Sequence, residues 1–146
     1  MKRVILTTAA FSLLFWLAAC KQKSAETETN VSKQSHNSQN SLDWAGTYTG
    51  TIPAADADGI KVRITLKQDG NYTLVYEYLG KKVDPFESSG TFTWNDTGSI
   101  ITLGNLDKNA TPVYYQVGEN TLTQLDLEGN KITGEFADMY ILKKES

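Results

Sequence analysis

From Ile60 to Lys67 apolar and polar residues take strict turns: Ile60, Val62, Ile64 and Leu66 share one side, and Lys61, Arg63, Thr65 and Lys67 the other. A period of two belongs to a β-strand with one buried and one wet face. The next run, Tyr72 to Tyr78, sets Tyr72, Leu74, Tyr76 and Tyr78 on a common side, and Asp69-Gly70 between the two runs is a tight-turn pair. The two runs therefore form a β-hairpin.

The same pattern continues along the chain. Further strands are expected at Trp44–Thr51, Ser89–Trp94, Ser99–Leu103, Val113–Val117, Thr121–Leu125 and Met139–Leu142. They are separated by turn-forming clusters such as Gly80-Lys81-Lys82, Asn95-Asp96-Thr97-Gly98, Gly118-Glu119-Asn120 and Glu128-Gly129-Asn130. The expected fold class is all-β: an antiparallel meander of about eight strands, closed into a small barrel or a strongly bent sheet. Residues 43–146 make one domain, able to bury about two-thirds of its unfolded surface. A barrel of that size is just wide enough for side chains or one small ligand. Trp44, Tyr48, Tyr72, Tyr76, Tyr78, Phe92, Trp94, Tyr114 and Tyr115 are read first as its core and second as the lining of a cavity. Tyr114 and Tyr115 are neighbours, so they point to opposite faces.

One segment breaks the strand rhythm. Pro53-Ala54-Ala55-Asp56-Ala57-Asp58-Gly59 places a proline where a helix can start and a glycine where it can stop, with three alanines between them. A single short helical turn is expected there, between the first two strands.

The N-terminus reads as a secretory signal over residues 1–19: Lys2 and Arg3, then the apolar stretch Val4 to Leu17, then Ala18 and Ala19. That stretch falls short of the roughly 20 residues that cross a bilayer. Leu17-Ala18-Ala19-Cys20 matches a lipobox, in which the cysteine thiol is lipidated and becomes the new N-terminus, so the chain is expected to be attached to a membrane through Cys20. Cys20 is the sole cysteine, which leaves the exported part without an internal disulfide. Lys21 to Leu42 is rich in Ser, Thr, Gln, Asn, Glu and Lys and poor in large apolar residues, the composition of a flexible tether over residues 20–42. His36 lies in it and is given no role. Loss of Lys2 and Arg3 with the signal takes the formal charge from −3 to −5, which offers nothing to a nucleic acid.

Residues 43–146 contain neither histidine nor cysteine, so the usual nucleophile–base pairs are missing and no enzyme activity and no cofactor are expected. Asp56, Asp58, Asp84 and Glu87 are read as solvated turn carboxylates and not as ligands of a hard cation; no metal site is expected.

Several of these segments resemble the N-terminal domain of the NlpE family of outer-membrane lipoproteins, known for copper resistance and envelope stress signalling. The resemblance rests on Tyr48-Thr49-Gly50-Thr51-Ile52-Pro53, Gly59-Ile60, Leu66 to Tyr72 with its central Asp-Gly, Glu77-Tyr78-Leu79-Gly80, Gly90-Thr91-Phe92-Thr93-Trp94 and Ala137-Asp138-Met139-Tyr140-Ile141-Leu142-Lys143-Lys144. It implies a lipocalin-like barrel, outer-membrane placement and a protein partner in the envelope, a sensor kinase. It also marks Pro53, Ala54, Ala55, Asp56, Ala57, Asp58 and Gly59 as a candidate partner or loop site, because the family carries a Cys-x-x-Cys motif there. In this chain Ala54 and Ala57 stand at the two cysteine positions, so no thiolate pair is present to hold a soft metal. Two functions of different class follow: an envelope sensor or adaptor that works by protein contact, and a barrel that carries a small apolar ligand. A filled interior favours the first and an aromatic-lined cavity the second.

Overall fold

The computed structural model describes residues 36–146; Cys20, the signal segment and the tether up to residue 35 lie outside the described residues. Eight strands run in chain order: β1 (Gly46–Ile52), β2 (Ile60–Leu66), β3 (Asn71–Tyr78), β4 (Phe86–Trp94), β5 (Ile100–Leu103), β6 (Tyr114–Gly118), β7 (Thr121–Gln124) and β8 (Ile141–Lys144). Each pairs antiparallel with its neighbour, and β8 returns to β1 to close the barrel.

The alternation read in the sequence sets which side chains point inward. Val62, Ile64 and Leu66 of β2 and Tyr72, Leu74 and Tyr76 of β3 are buried, and across the hairpin Leu66 faces Tyr72 and Ile64 faces Leu74. Asp69-Gly70 closes that hairpin: Gly70 takes a φ of 81° and the Asp69 carboxylate accepts from the Asn71 amide at 3.0 Å. Tyr48, Phe92, Ile101, Leu103, Val113, Tyr115, Val117, Leu122 and Leu142 complete one continuous core. As expected for neighbours on a strand, Tyr115 is fully buried while Tyr114 is only partly so. Most of the strand aromatics thus fill the interior.

The two ends of the barrel differ. Where β1, β3, β5 and β7 begin, the connections are tight and polar: 67–70, 95–99 and 119–120. This end is plugged. A four-residue helix, α1 (Ser38–Ser41), has Asn37 as its N-cap with reciprocal Asn37 and Asn40 side-chain bonds, a capping box. It docks through Gln39 N–H to the Gly98 carbonyl at 2.9 Å and the Ser38 hydroxyl to the Val117 carbonyl at 2.7 Å. Trp44 inserts beneath it, donating its indole N–H to the Gln39 carbonyl at 2.9 Å and meeting Phe92 and Trp94 edge-on at 5.7 and 5.5 Å. Residues 36–42, read from composition as the end of a tether, are therefore held on the barrel. Capping and this docking supply what their few apolar side chains do not.

At the opposite end the connections are long: 53–59, 79–85, 104–113 and 125–140. The expected helical turn over 53–59 is not formed: residues 55–58 make a run of bends. The backbone there bonds across to the β3–β4 connection, Asp58 N–H to Leu79 O at 3.2 Å and Leu79 N–H to Gly59 O at 3.0 Å, and those bonds replace the ones a helix would make within itself. Short helical turns occur elsewhere, in α1 and in a 3-10 turn over Ala137–Tyr140 that leads into β8. The latter takes up Met139, which the alternation had assigned to the last strand.

Closure rests on a short seam. Tyr48 pairs with Lys144 and Thr49 with Lys143, and the Lys144 ammonium reaches the Asp43 carboxylate at 3.0 Å. Gly50 lies between inward-facing Tyr48 and Ile52, and a Cβ built on it would stand 2.8 Å from Leu142 Cδ2 and 3.4 Å from Leu142 Cα. Only a residue without a side chain lets β1 approach β8 this closely. Gly50→Val is expected to overpack the seam and cost about 1–3 kcal/mol, lowering the urea midpoint while the β-type circular dichroism of the folded fraction persists; an unchanged midpoint would show that the seam does not need the glycine.

Candidate functional site at the open end

Beyond Leu103 the wall between β4 and β5 parts. Their ladder covers only Phe92–Trp94 against Ile101–Leu103, after which the Gly104 amide bonds to Thr91 O at 2.8 Å and the Asn105 side chain to Ser89 O at 3.1 Å. The first residues of β4 and the 104–113 connection thereby flank an opening. Within it lies a cleft of about 320 Å³ whose lining includes Ile52, Pro53, Ile60, Tyr76, Tyr78, Phe86, Ala110, Pro112, Gln124 and Tyr140.

The floor of the cleft is polar although its walls are apolar. The Tyr76 and Tyr115 hydroxyls lie 3.2 Å apart, and Tyr115 donates to Gln124 Oε1 across a long 3.5 Å. Gln124 is the one buried polar residue found alongside the apolar core among the described residues. Burial pushes the Tyr115 hydroxyl well above the ordinary tyrosine range. It raises Tyr76 too, against the opposing effect of the Tyr115 hydrogen bond. Far from the cleft, burial and then the charge of Asp43 push Tyr48, whose hydroxyl donates to Trp44 O at 2.7 Å, up to about 12.

The predicted loop forms one side of the rim. Asp56 pairs with Lys81 across the gap to the β3–β4 connection, and that hydrogen bond holds the Asp56 carboxyl below the usual carboxylate range. At Gly80, with φ of 74°, a Cβ would collide with the Asp58 carboxylate, so the glycine lets the two loops lie against each other. Ala54 and Ala57 are half-buried in the bends, Asp58 is exposed, and of the seven residues singled out only Pro53 lines the cleft. Asp84 and Glu87 are exposed, and the described residues contain no cluster of three or more His, Cys, Asp or Glu side chains able to hold a metal.

Sequence reasoning passed over Gln124, although a trace was present: in Thr121–Leu125 the glutamine shares its side with Leu122, an inward register. It also passed over the exposed apolar rim. Val83, Phe86, Leu127, Phe136 and Met139 are between 41% and 57% exposed, and every one lies on, or at the edge of, a connection of the open end.

The profile of the NlpE N-terminal domain matches residues 48–135, most of the barrel. The chain belongs to the NlpE family. Lipoprotein NlpE of Escherichia coli K12 is 30% identical over 135 residues, which is 92% of this chain but 55% of that protein, so the chain spans about half the length of this relative. A 17 kDa lipoprotein of Treponema pallidum is 30% identical over 68% of this chain and 69% of its own. Among solved structures, a lipoprotein from Shewanella oneidensis superposes with a TM-score of 0.67 at 46% identity, over 75% of this chain and 95% of that one. The Escherichia coli NlpE structure, described as the Cpx pathway activator, gives 0.50 at 30% identity over 62% of this chain and 47% of that one. These relatives make the NlpE family one of envelope lipoproteins and agree with the closed barrel observed here.

The raised tyrosines give the NlpE-type barrel a pH signature. A hydroxyl whose folded pKa lies above the ordinary value near 10 keeps its proton in the native state after the unfolded chain has lost it. Stability is then intact below about pH 10 and falls as the pH rises toward about 12. In an alkaline titration at about pH 11, the native chain should develop less tyrosinate absorbance than the same seven tyrosines in urea, and the deficit should vanish on unfolding. Equal absorbance in the two states would contradict the burial assigned to Tyr48, Tyr76 and Tyr115.

Proposed function

We propose that this chain is a lipid-anchored envelope sensor or adaptor that acts through protein contacts at the open end of its barrel. In this reading the signal segment 1–19 is removed, Cys20 carries the acyl groups, and residues 21–35 link them to the domain. Lys21, where an Asp would mark inner-membrane retention in enteric bacteria, favours the outer membrane.

The observation that carries the reading is the one-sided distribution of exposed apolar side chains. Val83, Phe86, Leu127, Phe136 and Met139 gather at one end, whereas the opposite end, where the chain arrives from Cys20, is polar and plugged by α1. Large exposed apolar groups gathered on one face mark interaction surfaces. A barrel tethered by its closed end would present the other end to a partner. Read as a flexible linker, residues 21–35 would have a root-mean-square span of about 19–23 Å, which would confine the barrel near its membrane and raise its local concentration there. The Cpx pathway activator among its relatives supports a signalling role of this kind; the partner class in this reading, a sensor kinase in the envelope, is the one the family resemblance implies.

Photo-crosslinking groups placed at Val83 or Phe136 in intact cells should give adducts with an envelope protein, and a group at Asp96 in the closed-end turn should not. Equal yields at the two ends, or none at the open end, would remove the reading. The anchor is tested separately: a cleavable signal followed by Cys20→Ser should move the chain from the membrane to the soluble fraction, and continued sedimentation with membranes after a salt wash would place the anchor elsewhere.

A further inference from the structure

The floor of the open-end cleft carries a chemistry that protein contact does not use. Gln124 is 3% exposed, and its carboxamide oxygen is occupied by the Tyr115 hydroxyl. Its NH2 group donates to no acceptor among the described residues, yet no fully buried side-chain nitrogen or oxygen there lacks a partner. The amide nitrogen therefore reaches the cleft space. A donor that meets no protein acceptor and opens onto the cleft is free to bond to whatever partner occupies that space.

The walls restrict what that partner is. Ile52, Ile60, Phe86 and Pro112 supply apolar surface, Thr111 and the tyrosines supply hydroxyls, and none of the lining residues carries a charge. An ionised carboxylate entering here would surrender its hydration with no cation to meet it, and an ammonium group would find no carboxylate. The volume of about 320 Å³ has room for roughly ten groups of water size, at about 30 Å³ each.

We propose that the cleft binds a small, neutral, amphipathic molecule: an apolar chain or ring of roughly ten non-hydrogen atoms in all, ending in an uncharged carbonyl that accepts a hydrogen bond from the Gln124 amide. Tyr76 and Tyr115 act as positioning residues, since their hydroxyl chain engages the glutamine oxygen and so turns the NH2 toward the ligand. The split between β4 and the 104–113 connection is the entrance, with Ala110 exposed at its lip. The inference does not rest on the contact reading, because its ligand is captured by the isolated chain.

The test uses the secreted chain with Cys20→Ser, so that no attached acyl group competes, and three probes of similar length at neutral pH: octanamide, octanoate and octylammonium. Binding is followed by the side-chain amide resonances of Gln124. Octanamide is expected to bind saturably and shift them, with the two ions at least about tenfold weaker, as expected for desolvating an unpaired charge. Ala110→Trp changes an exposed lip position, so the fold survives; it should weaken octanamide by about tenfold or more through loss of room in the cleft. Gln124→Leu keeps the size and removes the donor, and should abolish the preference for octanamide over octanoate. Absence of saturable octanamide binding, equal binding of all three probes, strongest binding of octylammonium, or indifference to Ala110→Trp would each overturn the proposal. Open-end crosslinks that persist after any of those results would leave the contact reading standing.

Discussion

Closure of the sheet on itself is the constraint from which the rest of the structure follows. An open sheet of eight short strands would leave two bare edges ready to pair with other chains; joining β8 to β1 removes those edges and encloses the core. The join is brief, with two residue pairs, and it depends on Gly50 and Leu142 coming within the distance that a Cβ would forbid. Asp43 and Lys144 bridge its closed-end margin. A surface ion pair of this kind contributes little by itself; the seam is held mainly because Tyr48 and Leu142 bury their side chains beside it.

A closed meander of this length also has to treat its two ends differently. The even-to-odd connections are tight turns, and α1 with the Trp44, Phe92 and Trp94 cluster packs over that end. The odd-to-even connections are long, and they absorb all the irregularity of the chain. With the closed end carrying the packing, the open end can tolerate a split wall, a nearly buried glutamine and an exposed apolar rim, each of which would be a liability in the core. The best-packed part of the barrel and its exposed apolar rim thus lie apart along the barrel axis.

What was legible in the sequence is what periodicity encodes. Ile60–Lys67 alternates strictly and Tyr72–Tyr78 does so except at Val75, and their strands and turn followed directly. Where the decisive forces act between distant segments, periodicity is silent. Pro53 to Gly59 carries local helix cues, yet the backbone of Leu79 captures its amide and carbonyl groups and makes bends instead. Residues 38–41 look like linker by composition, and they are held by Gly98 and Val117, which lie far along the chain. Gln124 was visible in register but had no partner in sequence to mark it, since Tyr115 and Tyr76 meet it only across the barrel. The exposed rim escaped for the same reason: an isolated Val83 or Phe136 is unremarkable until folding brings five such residues to one end.

The loop between β1 and β2 is held in place without help from the side chains at 54 and 57. Alanine stands at 54 and 57, and the segment's place is set by main-chain bonds between Asp58 or Gly59 and Leu79 and by the pairing of Asp56 with Lys81. None of these contacts requires a thiol. The side chains at 54 and 57 are therefore free to carry metal or redox chemistry, or none, on a fixed backbone, in keeping with the general separation of fold from site. By the same argument the neighbouring cleft does not depend on those side chains either: of the loop it uses only Pro53, and its other walls come from β1, β2, β3, β4, β7, the 104–113 connection and Tyr140 of the 3-10 turn. The rim and the cleft therefore stand independently of the side chains at 54 and 57.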